Sequence, residues 1–281
     1  MNAPIWSRLL FRFSRGLTAL DVGQQIMRDE LLLAFLPPSQ RDSLTFEAYA
    51  RSRSYVAGGE YFLQGLWAWE AALLEDPRIP RSGRVLLGAA GGGRELHGLL
   101  QRGYEVYAFE PVALLLESAR TIATGTNAVL VQATYQDLVA RAEGKSGALD
   151  SFDGHVDLCI LGWGSLSHLT EPTAAIETLR ALRALAPEAP VIVSFISQSK
   201  GTPEVKGGAR RLRRGFRRLL KAVGGQPVST GLKFRTNLGF YYEFSQSEVI
   251  ELCELAGYEI ARLGDMPYPH ALLLPRVGAR G

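Results

Sequence analysis

RVLLGAAGGGREL, residues 84–96, is the stretch on which the reading of this chain turns. Three apolar residues, Val85 to Leu87, run into six that are all glycine or alanine, and Arg94-Glu95-Leu96 then opens a helical pattern. That order predicts a strand, a tight turn and a helix. Residues this small let the backbone take conformations closed to larger side chains and let a ligand come within contact distance. The helix behind the turn presents unpaired N–H groups and a partial positive charge, which suit a phosphate or a carboxylate.

The next segment strengthens that signal. Arg102-Gly103 ends the helix, the alternating run Tyr104 to Phe109 predicts a second strand, and Glu110 stands at its tip, nineteen positions beyond Gly91. An acid at such a tip, about 20 residues past the glycines, can accept both hydroxyls of a ribose diol.

Val85 to Gly93 resembles the first motif of the class I S-adenosylmethionine-dependent methyltransferases. That motif runs hydrophobic, hydrophobic, acidic, hydrophobic, Gly, x, Gly, x, Gly, and Ala89, Gly91 and Gly93 lie on its glycine positions. Leu87 stands where the acid is usual, and Ala89 replaces the first glycine. The resemblance implies a doubly wound α/β fold with a mostly parallel seven-stranded sheet, S-adenosylmethionine as cofactor and S-adenosylhomocysteine as product. It places Gly88, Ala89, Ala90, Gly91 and Gly93 against the cofactor and Glu110 with Pro111 at the ribose. With Leu87 in place of the acid, another residue must meet the methionine amino group. A nicotinamide fingerprint, Gly-x-Gly-x-x-Gly, fits poorly: starting at Gly91 its third position falls on Leu96, and starting at Gly88 its second falls on Ala90.

At 47% hydrophobic and 21% charged, the 281 residues have a composition that supports a sizeable globular core. The net charge of +3 gives no whole-molecule preference for nucleic acid. Cys159 and Cys253 form neither a disulfide framework nor a metal-ligand spacing, which fits a reducing cytoplasm. No run reaches the roughly 18 apolar residues of a membrane span. At the N-terminus Arg8, Arg12 and Arg15 are interleaved with apolar residues, unlike a signal peptide.

Residues 5–20 and 24–35 predict two helices, the second closing at Pro37-Pro38, and 46–56 predicts a third. With the helix 67–74 and the Pro77/Pro80 linker, these define an expected N-terminal helical cap over residues 1–80, followed by a core over 81–281. The aromatic residues of the cap pack it onto the sheet, while Tyr55 and Tyr61 are candidates to line a substrate pocket.

From Arg84 onward strands and helices alternate: strands 84–88, 104–109, 128–132 and 156–161, helices 93–102, 112–123 and 135–142. This predicts parallel βαβ units with a ligand site outside the carboxyl ends of the strands. After the third strand stand Thr134 and Tyr135, where the resembling family commonly carries an acid for the adenine amino group; Thr134 also reads as a plain helix N-cap. After the fourth, Gly162-Trp163-Gly164-Ser165-Leu166-Ser167-His168 opens a loop that is expected to run along the cofactor, with Gly162 and Trp163 against it, and to face the acceptor. Trp163 suits cation–π packing on a sulfonium or substrate, and His168 is the candidate catalytic base. The family's Asn/Asp-Pro-Pro-Tyr loop is absent, which weighs against nucleobase and glutamine N-methylation.

A helix over 172–185 and a strand over 190–195 continue the rhythm, and residues 197–237 interrupt it. Inside that insertion Arg210, Arg211, Arg213, Arg214, Arg217, Arg218 and Lys221 share a helix with Leu212, Phe216, Leu219 and Val223. The expected arrangement docks the apolar stripe and turns the basic faces outward. Such a helix reads as a solvated face, as a dock for an anionic or carrier-bound acceptor, or as a contact for RNA or a membrane surface. Its flanking glycines suit a lid. A capping box at Ser245 and Glu248, a helix 247–256 and strands 258–263 and 270–274 complete the family pattern, in which the seventh strand runs antiparallel between the fifth and sixth.

The expectation is therefore methyl transfer from S-adenosylmethionine to an oxygen or nitrogen of a small molecule, with nucleic acid disfavoured as partner. The alternatives are a noncatalytic S-adenosylmethionine-binding module and an RNA methyltransferase using the Arg-rich helix.

Overall fold

The computed structural model describes residues 5–198 and 207–276. Its strands are β1 (Arg84–Gly88), β2 (Glu105–Phe109), β3 (Val129–Val131), β4 (Leu158–Leu161), β5 (Val191–Ser194), β6 (Leu232–Arg235), β7 (Gly239–Tyr242), β8 (Tyr258–Gly264) and β9 (His270–Pro275). Seven of them form one sheet in the order β3-β2-β1-β4-β5-β9-β8. The first five are mutually parallel, and β9 runs antiparallel to both β5 and β8. β6 and β7 pair separately as an antiparallel hairpin.

The central strands read as unbroken apolar runs because both faces of the sheet are covered. Leu86, Phe109, Cys159 and Val193 face one buried cluster, and Val85, Leu87, Ala108 and Ile160 face the other. The intervening helices are α4 (Arg94–Gln101), α5 (Ala113–Ala123), α6 (Tyr135–Ala142), α7 (Pro172–Leu185) and α9 (Gln246–Leu255). They follow α1 (Ile5–Phe35), α2 (Pro38–Ala50) and α3 (Ala68–Leu74), with α8 (Gly207–Ala222) between β5 and β6. The capping box at Ser245 forms as expected: its hydroxyl oxygen accepts from the Glu248 N–H, and Glu248 accepts from the Ser245 N–H.

Three expectations are corrected. Residues 5–35 form one helix rather than two, because a lone Gly23 costs only about 1 kcal/mol in a helix that has neighbours to pack on. The next helix is Pro38–Ala50, not 46–56: Pro38 occupies the first helical position, where its missing N–H is no loss, so Pro37-Pro38 opens a helix as well as ending one. The third correction concerns α8. Its inward face carries Arg213, Arg217 and Leu220, while Leu212, Leu219 and Val223 stay 48%, 57% and 63% exposed. The cause is Glu30 on α1, which is almost wholly buried and draws Arg213 (3.0 Å) and Arg217 (2.5 Å) onto it. A buried carboxylate without a cation costs more than an exposed leucine, so the arginines win the interface.

α2 and the segment after it hold the front of the molecule together. Thr45 Oγ1 accepts from the Phe240 N–H at 2.9 Å, tying α2 to the β6–β7 hairpin, and the buried Arg41 donates to the Leu33 and Leu36 carbonyls and to Glu171. Trp69, Leu73 and Leu74 of α3 pack into the second cluster beneath β1.

Candidate active site

A cleft opens at the carboxyl ends of β1, β2 and β4, roofed by α2 and residues 51–67. Its floor is the glycine turn. Gly91 has φ +56°, and open space lies where a Cβ would stand, so a ligand can reach the backbone there. Ala89 also sits in the left-handed region, at φ +52°, which an L-residue adopts at a cost and which marks sites held in shape by their surroundings. Gly92 serves the roof: a Cβ on it would lie 1.6 Å from the Tyr55 carbonyl oxygen, so only glycine lets residues 51–67 lie on the turn.

Glu110 closes the cleft's inner wall. The side chain is buried, and its two oxygens accept the N–H groups of Gly91 (2.8 Å) and Val112 (2.9 Å). Burial pushes its carboxyl up to about 7 against the pull of those two donors. Each carboxylate oxygen keeps a lone pair for a ligand hydroxyl.

Across the turn lies an ion cluster that the sequence reading had not assembled. Arg94, the first residue of α4, donates to both oxygens of the buried Glu70 (2.7 and 2.6 Å) and to the Gly65 carbonyl (2.8 Å). Its guanidinium lies 4.8 Å from the Trp67 ring centroid and 5.7 Å from that of Trp163. The neighbouring Glu95, buried yet lining the cleft, sits 2.7 Å from Arg94 and accepts the Trp163 backbone N–H at 2.8 Å. Leu87 is wholly buried on the α3 side of the sheet, so no polar group can act from that position.

His168 ends a short 3₁₀ turn, Ser165–His168, that follows β4. Gly164, at φ +71°, turns the chain, and its N–H donates to Ser194 Oγ at 2.7 Å. The Phe240 carbonyl faces His168 Nδ1 at 3.0 Å, so that nitrogen carries the proton; Nε2 is then the bare acceptor, with the Tyr49 hydroxyl donating to it at 2.8 Å. Burial pushes the imidazole below its ordinary range, keeping it neutral near pH 7, and raises the Tyr49 phenol. From His168 an aromatic wall continues through Tyr49, Tyr55 and Tyr61 to Trp163, with successive centroids 5.3 to 5.7 Å apart.

Ala89, Ala90, Gly91, Glu110, Pro111, Thr134, Tyr135, Trp163, His168, Tyr55 and Tyr61 all line this cleft. Gly88, Gly93 and Gly162 lie outside its lining and serve packing: a Cβ on Gly162, for example, would meet the Ala89 carbonyl oxygen at 2.3 Å. Thr134 acts as the N-cap of α6, its hydroxyl donating to Asp137 (2.7 Å) and accepting the Asp137 N–H (3.2 Å). The buried Tyr135 hydroxyl shares a hydrogen bond with Ser165 Oγ at 2.7 Å. Tyr49, Arg94 and Glu95 were missed as site residues. A carboxylate two residues past the glycine run, in the first turn of α4, was the one signal available for Glu95.

No protein-family model and no curated protein matches this sequence. Solved structures do. The PH0226 protein from Pyrococcus horikoshii superimposes with a TM-score of 0.54 at 16% identity, covering 82% of this chain and 99% of its own. A SAM-dependent methyltransferase from Methanosarcina mazei gives 0.51 at 14% identity over 75% and 96% of the two chains. The sugar N-methyltransferase KedS8 from Streptoalloteichus gives 0.51 at 14% over 74% and 86%. With the antiparallel β9 inserted between β5 and β8, the chain has the class I S-adenosylmethionine-dependent methyltransferase fold.

Proposed function

We propose that this protein transfers the methyl group of S-adenosylmethionine to an oxygen or nitrogen of a small molecule. The observation that carries the reading is Glu110, a buried carboxylate hydrogen-bonded to the glycine turn and lining an open cleft. The fit to an adenosyl ligand rests on that carboxylate for the ribose diol and on the space above Gly91 for close backbone approach. Glu95 is the acid that replaces Leu87 toward the methionine amino group. Thr134 contributes less than the family pattern implies, because its hydroxyl is already engaged in capping α6, and Tyr135 covers the ligand rather than bonding it.

S-Adenosylmethionine would supply a methyl group already activated by positive sulfur, so alignment of the acceptor does much of the work. Tyr49, Tyr55, Tyr61 and Trp163 hold a flat acceptor and exclude water. Tyr49 takes the acceptor's proton as its own passes to His168 Nε2, and the Phe240 carbonyl steadies the imidazolium through Nδ1–H. His168 thus acts through Tyr49. The aromatic lining and the small-molecule acceptor in the name of the sugar N-methyltransferase support a small molecule over RNA.

Calorimetry with S-adenosylmethionine, with a nicotinamide dinucleotide as control, tests the reading. The parent should bind only the former, and Glu110→Ala should bind it at least about tenfold more weakly, since hydrogen bonds to a charged group contribute about 1.5–3 kcal/mol each. A folded parent that binds neither would end the proposal. Cofactor binding without turnover across a broad acceptor screen would favour the noncatalytic module.

A further inference from the structure

The Arg-rich helix plays no part in the chemistry above, and its surroundings give it another role. Residues 207–242 contain nine Lys and Arg and no Asp or Glu, so the rest of the chain carries a net charge of −6. Positive charge is thus concentrated on α8 and its hairpin. Arg213 and Arg217 are consumed by Glu30, whereas Arg211, Arg214, Arg218 and Lys221 are exposed and have no ion-pair partner among the described residues.

Beside Arg211 and Arg218, though not beside Arg214 and Lys221, which a rotation of about 100° per residue puts on the opposite side of α8, lies exposed apolar surface. On α8 it is Leu212, Leu219 and Val223, spaced seven and four apart; on α1 it is Leu20, Met27, Leu31 and Phe35, spaced seven, four and four, and all are at least 41% exposed. Those spacings put each set on one helix face. The two helices run in the same direction: Glu30 meets Arg213 and Arg217, and four residues further along α1 the Ala34 carbonyl accepts the Gln226 N–H just past the end of α8. With that pairing, a rotation of about 100° per residue turns both stripes to the same side of the helix pair, away from the hairpin beneath.

We propose that this α1–α8 face docks on the surface of an anionic lipid bilayer. A broad apolar strip with Arg211 and Arg218 along its edge is the arrangement that enters the headgroup boundary while its cations meet anionic lipid. A second copy is the poorer occupant, because a twofold pairing would set the same unpaired basic edge against itself. No described helix is long and apolar enough to cross a membrane, so the contact is superficial.

The test is co-sedimentation of the full chain with vesicles of equal parts phosphatidylcholine and phosphatidylglycerol, against phosphatidylcholine alone, with circular dichroism on every variant. The parent should bind the mixed vesicles and bind the neutral ones at least about tenfold more weakly, as should Arg211→Glu/Arg218→Glu on the mixed vesicles. Leu219→Asp/Val223→Asp should lose binding, and Lys145→Glu, which lies outside α1 and α8 and pairs with Glu143, should not. A folded parent that ignores mixed vesicles at low salt would overturn the proposal. So would equal binding to both vesicle types, capture of single-stranded RNA but not vesicles, or a dimer in light scattering that the apolar variants convert to monomer.

Discussion

Lowering the pH from 8 to 6 should weaken S-adenosylmethionine binding about tenfold, through Glu110. Its carboxyl titrates at about 7 in the unliganded cleft because burial disfavours the charge. A ribose diol donates two O–H groups, so it binds the ionised form, and the ionised fraction falls from about 0.9 at pH 8 to about 0.1 at pH 6. That loss is worth about 1.4 kcal/mol. The sign for stability is the opposite. Because the folded pKa lies above the usual carboxylate value, the unliganded protein binds more protons than the unfolded chain between about 4.5 and 7, and its stability falls as the pH rises through that window. Calorimetry at several pH values, in buffers of different ionisation enthalpy, should show about half a proton released per ligand at pH 7, with affinity rising toward pH 8. Glu110→Ala should bind weakly with little pH dependence. A parent whose affinity is flat from pH 6 to 8, or which takes up protons on binding, would refute the assignment.

Other substitutions test the geometry around it. Ala89→Gly should leave the melting temperature unchanged or slightly raised, since relief of about 1–2 kcal/mol at a left-handed φ is offset by about 0.5–1 kcal/mol of added unfolded-state freedom; a clear fall in thermal unfolding would show that the Ala89 methyl makes a contact of its own. Gly92→Ala should push the Tyr55 segment off the turn, lowering stability by about 1–3 kcal/mol and weakening cofactor binding in the same calorimetric assay. Once an acceptor is in hand, His168→Gln and Tyr49→Phe should each reduce kcat by about 100-fold or more with little change in KM. Full turnover by Tyr49→Phe would show that His168 does not act through the phenol.

The strand–turn–helix at 84–96, the carboxylate at Glu110, the βαβ rhythm and the terminal strand pair were legible because each is a local pattern. Apolar runs bounded by small residues, a fixed offset from strand to strand, and a capping box all lie within about 25 residues of chain. The same locality explains the misplaced helix ends at 23 and 37–38, where glycine and proline carry a breaking signal that packing and the first-turn exception override. Thr134 was readable both as an N-cap and as a ligand contact; the structure commits its hydroxyl to the cap.

Local sequence thus determined the layered fold, the place of the cleft and the acid at its wall, since these follow from periodicity and from what a glycine turn permits. The tertiary structure decided which side chains meet. Tyr49 reaches His168 across 119 residues, and Arg217 meets Glu30 across 187. A buried charge or a bare imidazole nitrogen takes whatever partner the fold brings within about 3 Å, and that partner has no fixed spacing in the chain. For the same reason periodicity predicted a docked leucine stripe on α8, and a single buried glutamate on another helix turned Arg213 and Arg217 inward instead.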